Sequence, residues 1–111
     1  MSFGPEPPYV AEAGVHRWTI ERASGLRGPL RGLGFRRFPF SSTARLSSRR
    51  ELSSAEMARL AAQLRDLGIA FSFGRDWSPS EMVQQMRDEG LFKGSFNEIS
   101  WTRQGWQLRT V

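Results

Sequence analysis

The residues with the plainest chemical capacity in this chain are eight arginines: Arg22, Arg27, Arg31, Arg36, Arg37, Arg45, Arg49 and Arg50. They fall in a window of 29 residues that holds no Asp or Glu, so the window carries +8 while the rest of the chain sums to −3 within a total of +5. A guanidinium presents a rigid fork of donors that matches phosphate or carboxylate oxygens two at a time, and an unneutralised field of them attracts polyanions. Phe35, Phe38 and Phe40 are interleaved with these arginines. A cationic groove beside an aromatic face on which a base can stack is what binding of single-stranded nucleic acid without sequence preference requires. If about six phosphates were neutralised, affinity would fall by ~10³ between 50 and 200 mM salt.

Arginine content alone is a weak signal, because 15 of the 16 basic residues are Arg and Lys93 is the sole lysine, a bias that GC-rich coding produces unaided. Segregation is the usable signal. Every acidic residue, from Glu6, Glu12 and Glu21 on one side to Glu51, Glu56 and the rest on the other, lies outside the window.

Catalytic and metal chemistry are thinly provided. His16, the single histidine, could act as acid or base with Glu98 if their strands were neighbours, with arginines stabilising a phosphorane-like charge. No signature sets the reach or orientation of either residue, so a non-catalytic role is expected. The chain has no Cys, which excludes disulfides, thiol nucleophiles and thiolate metal sites, and with one His neither a metal nor another cofactor is expected.

The elements that must position the arginines follow from local pattern. At 111 residues one domain with a single core is expected. Residues 1–13, with Pro5, Pro7 and Pro8, read as an extended, poorly ordered arm, and the Pro5-to-Pro8 spacing is too common to imply a ligand role. Residues 14–111 read as the domain. Val15–Glu21 is β-branched and aromatic and predicts a strand with His16, Trp18 and Ile20 on one face. Ser24–Gly34, with four glycines and Pro29, predicts a long flexible connection, and Leu33–Phe40 predicts an edge strand because Pro39 cannot donate to a ladder.

Two helices open with the same local grammar. In Leu52-Ser53-Ser54-Ala55-Glu56-Met57 the serine caps and Glu56 closes a capping box, and Trp77-Ser78-Pro79-Ser80-Glu81-Met82 repeats it with Pro at the first helical position. They stop at Gly68 and Gly90, and the likeness of their endings reads as helix grammar rather than duplication. Ile69–Phe73 predicts a buried strand. Phe96–Trp101 and Trp106–Val111 predict a hairpin about Thr102-Arg103-Gln104-Gly105, in which Trp101 and Trp106 meet as a packing pair or, less favoured, as an exposed platform.

The resulting order, β-β-α-β-α-β-β, predicts an α+β fold with a mostly antiparallel sheet and two helices on one face. A helix followed by a terminal hairpin has a passing likeness to a winged helix, but residues with their own strand pattern separate Gly68 from Pro79 where that fold needs a short turn. The leading function is a small binding protein that grips nucleic acid, RNA or single-stranded DNA, with Arg27, Arg31, Arg36, Arg37, Arg45, Arg49, Arg50, Phe35 and Phe38. The competing one is a protein-interaction module with Arg and Trp anchors, Trp101 and Trp106 included, against an acidic partner surface. No long apolar run suggests a membrane span and no signal-like start is present, so a cytoplasmic location is expected.

Overall fold

The computed structural model describes residues 6–72 and 79–111. Its frame is one seven-stranded sheet that grows from a hairpin. β1 (Tyr9–Ala13) and β2 (Arg17–Glu21) pair antiparallel, with Val10 opposite Ile20 and, beyond a register shift, Glu12 opposite Thr19. β2 carries β4 (Ala44–Ser47), and β4 carries the two-residue edge strand β3 (Arg36–Arg37). On the other side β1 pairs parallel with β5 (Ala70–Ser72), β5 pairs parallel with β6 (Asn97–Thr102), and β6 turns back into β7 (Gly105–Thr110). The order across the sheet is β3-β4-β2-β1-β5-β6-β7.

Three helices accompany the sheet: α1 (Arg27–Gly32), entered through a 3-10 turn at Ser24–Leu26, α2 (Ser54–Asp66) and α3 (Pro79–Asp88). Alternation along the strands decides what they cover. Val10, Trp18, Ile20, Ala44 and Phe71 are buried in one cluster with Ala58, Leu60, Ala61 and Leu64 of α2, Val83 and Met86 of α3, and Leu30 of α1. The helices therefore share one face of the sheet. Each buried large side chain contributes about 1.5–3 kcal/mol of hydrophobic stabilisation.

All three helices end the same way. The amide of Phe35 donates to the Leu30 carbonyl and that of Gly34 to Arg31; Ile69 and Gly68 repeat this with Leu64 and Arg65, and Leu91 and Gly90 with Met86 and Arg87. This is the Schellman arrangement, which needs a left-handed residue, and Gly34, Gly68 and Gly90 have φ of 96°, 81° and 73°. At the start of α2 the predicted capping box is present, with Ser53 Oγ accepting from the Glu56 amide and the Glu56 carboxylate accepting from the Ser53 amide. The cap residues Trp77 and Ser78 of α3 lie outside the described residues.

The α+β class and the single core agree with the sequence reading, and three elements and the strand pairing differ from it. Tyr9–Ala13, which the proline-rich start places in an arm, form a strand at the centre of the sheet, where hydrogen bonding to both β2 and β5 outweighs weak intrinsic propensity. Within Ser24–Gly34, whose composition predicts a flexible connection, helix α1 is stabilised by burial of Leu30 and by the glycine-ended cap. β4 adds a seventh strand. The sheet is mixed rather than mostly antiparallel on its β5 side, because α3 supplies the crossover that a parallel β5–β6 pair needs. No helix among the described residues is long and apolar enough to cross a membrane.

Candidate polyanion site

The arginine window folds into three consecutive elements at one edge of the sheet. Arg27 and Arg31 are one helical turn apart on α1 and so share a face; both are exposed, while Leu30 between them in sequence is buried. The Schellman cap reverses the chain at Gly34 and delivers Arg36 and Arg37 directly into β3. A Cβ at Gly34 would stand 3.1 Å from Leu46 Cδ1, so close packing as well as its φ calls for glycine.

These four arginines, with Gly34 and Phe35, line an open depression of about 680 Å³ that has no carboxylate in its wall among the described residues. A second depression of about 410 Å³ continues from it past the shared Gly34 and Arg36 to Phe38, Arg45 and Ser47. Arg45 sits opposite Arg36 in the β3–β4 pair, its guanidinium carbon 4.6 Å from the centre of the Phe38 ring. Its Nε is buried and has no acceptor among the described residues. The surface is thus cationic from α1 across β3 to β4.

Further along the same sheet face the charges are matched. Arg17 donates to both oxygens of Glu12, at 2.7 and 3.1 Å, and Thr19 Oγ1 donates to Glu12 at 3.1 Å. Chiefly through the Arg17 hydrogen bonds, the Glu12 carboxyl is held below its ordinary pKa. Of the window's arginines, Arg22 pairs with Glu6 at 3.5 Å and Arg50 with Glu56 at 2.6 Å, whereas the other six form no ion pair among the described residues.

Several residues proposed from sequence fall outside this site. Phe35 is 3% exposed and belongs to the core, so it offers no face to a base. Arg50 is neutralised by Glu56, and exposed Arg49 lines neither depression. Trp101 and Trp106 form a register pair on the hairpin at the opposite end of the strand order. Trp101 stands edge-on to Tyr9 at 5.1 Å and its indole donates to Glu6 at 2.9 Å. Phe40, by contrast, is fully exposed at 105% and takes φ of 58°.

The acid–base pair considered from sequence is not assembled. His16 Nδ1 donates to the Ser48 carbonyl at 3.1 Å, while buried Glu98 on β6 accepts from Arg109 at 3.0 Å with β1 and β5 lying between the two. Among the described residues no three His, Cys, Asp or Glu side chains gather as metal ligands would. Arg27 and Arg31 could have been placed from sequence: Leu30-Arg31-x-x-Gly34-Phe35 repeats the apolar-Arg-x-x-Gly-apolar ending seen at Leu64–Ile69 and Met86–Leu91. Comparison with protein families, characterised proteins and solved structures finds no match.

Proposed function

We propose that this chain is a non-catalytic nucleic-acid-binding protein that holds the phosphate backbone in the arginine-lined depression at the β3 edge. One observation carries the reading: Arg27, Arg31, Arg36 and Arg37 line a single cavity with no carboxylate in its wall among the described residues. Four forks spread along a groove fit a repeating phosphate better than one isolated anion. If each arginine takes one phosphate of a single strand, affinity falls about 50-fold between 50 and 200 mM salt.

Fluorescence anisotropy with a labelled single-stranded oligonucleotide across that salt range tests it. Reversal of Arg27, Arg31, Arg36 and Arg37 to Glu abolishes binding, while reversal of Arg59 and Arg103, exposed on α2 and the β6–β7 turn, leaves the site intact and lowers affinity only through net charge. Absence of binding at 50 mM salt, or equal losses in the two variants, overturns the reading.

A protein-interaction role has one observation in its favour, the exposure of Trp101 and Leu108, both 44%, near the β7 edge. Under that reading an acidic partner would also cover the hairpin, and Trp101→Ala would weaken capture as much as any arginine change.

A further inference from the structure

The loop that follows β3 holds an aromatic side chain where folding alone gives no reason to put one. Phe40 is fully exposed, and its φ of 58° is a left-handed conformation that bulky residues rarely adopt. The loop beneath it is fixed from several directions. The Phe38 amide donates to the Thr43 carbonyl at 3.1 Å, the Ser41 amide to Phe38 at 3.3 Å, and Arg37 Nε to Ser41 at 2.7 Å. Below them the Ala23 amide donates to Ser42 at 2.8 Å and Thr43 Oγ1 donates to Glu21 at 2.8 Å. Pro39 restricts the approach to the tip. Phe40 is therefore displayed by a built turn, and three residues of chain keep its Cα within about 11 Å of that of Arg37.

We propose that Phe40 is a stacking platform for an unpaired base, so that the polyanion site prefers single strands over duplexes. Resting on the phosphate reading above, this assigns the specificity that arginines cannot supply, since phosphate contacts hold a strand without distinguishing its bases or its pairing. A duplex keeps its base faces stacked inside the helix, whereas a single strand can offer one to the ring while its backbone follows Arg36 and Arg37. Phe38 cannot serve in this way on the face already taken by Arg45.

The test uses the full chain and three labelled probes at 50 mM salt: a 12-nucleotide oligothymidylate, an abasic strand of the same length, and a 12-base-pair duplex. The wild-type protein binds oligothymidylate at least about fivefold more tightly than the abasic strand, the lower bound for one stacked base. Phe40→Leu, which keeps apolar bulk but loses the ring face, abolishes that preference without changing affinity for the abasic strand, and Phe40→Trp retains it. Equal wild-type affinity for oligothymidylate and abasic strands overturns the stacking role and leaves the phosphate site standing. Undiminished preference in Phe40→Leu also overturns it. Failure of all three probes to bind overturns the phosphate reading and this one with it.

Discussion

The two ends of the sheet both bring arginines and aromatics to the surface, and they differ in whether those groups are matched. At the β7 end, Glu98 receives Arg109, and Trp101 is tied to Glu6 and braced by Tyr9. At the β3 end, among the described residues, Arg27, Arg31, Arg36 and Arg37 line one cavity without a carboxylate and Arg45 Nε lacks an acceptor, and Phe40 is fully exposed. Residue type is the same at both ends; what separates them is whether a carboxylate partner stands beside the arginine.

The comparison breaks most severely at the seam. Phe71, on the short strand joining the two halves, is buried against Phe96 with ring centres 5.6 Å apart. Phe71→Ala is expected to cost about 3–5 kcal/mol, with both ends lost in one denaturant transition by tryptophan fluorescence and circular dichroism. Separate transitions would mean that the halves are independent units.

Next in size is the contrast in binding. Reversing the four depression arginines should abolish oligonucleotide binding at 50 mM salt, because the counterion release of four phosphate contacts is lost with them. Trp101→Ala should leave affinity unchanged in the same anisotropy assay. Equal losses would place the site across the whole face.

A matched pair of glycine substitutions sharpens the contrast further. Gly34 has φ of 96° and Gly105 has φ of 126°, so Ala at either position is expected to cost about 1–2 kcal/mol in thermal or chemical denaturation. Only Gly34→Ala should also weaken oligonucleotide binding, because only that turn sets Arg27 and Arg31 against Arg36 and Arg37.

The smallest effect concerns Arg50, which belongs to the window in sequence but to the matched class in space. Its hydrogen bonds, with help from the Ser53 amide, lower the Glu56 carboxyl from 4.5 to about 2. A depressed carboxyl stabilises the fold above its unfolded value, so this contribution is present near neutrality and is lost as pH falls from 4.5 to about 2. Glu56→Gln should therefore be slightly less stable than wild type at pH 7, with a difference that shrinks through that range in pH-dependent denaturation. If partnering is what matters, the same variant should bind oligonucleotide no more weakly at pH 7, because Arg50 has been released.

The helices and the hairpin were legible because their signals are local. Ser53 with Glu56, the glycines at 68 and 90, and the Arg103-Gln104-Gly105 turn each act within a few residues, and the structure places Gly105 at the positive φ that the turn requires. What escaped depends on distant partners. Ala44-Arg45-Leu46-Ser47 alternates inward and outward as β4, yet so short a segment is stabilised by its neighbours β2 and β3 and reads in isolation as more of a charged loop. β1 contains Glu12 and two alanines, and its place in the sheet depends on residues sixty positions away. The segregated charge is visible in the sequence; of the depression only the end of α1, Leu30-Arg31-x-x-Gly34-Phe35, leaves a local signal, and the two glycines and proline of that helix argue against it until Leu30 is buried. Nothing in sequence announces the backbone of Phe40.

The central position of β1 also has a consequence in time. Its β2 partner follows at once, but its other partner, β5, arrives only when residues 70–72 have been made. At a synthesis rate of about 5–20 residues per second, one edge of the middle strand waits roughly 3–12 s for its neighbour. Throughout that interval the β1–β2 pair lacks the third strand that independent stability requires on this side of the sheet.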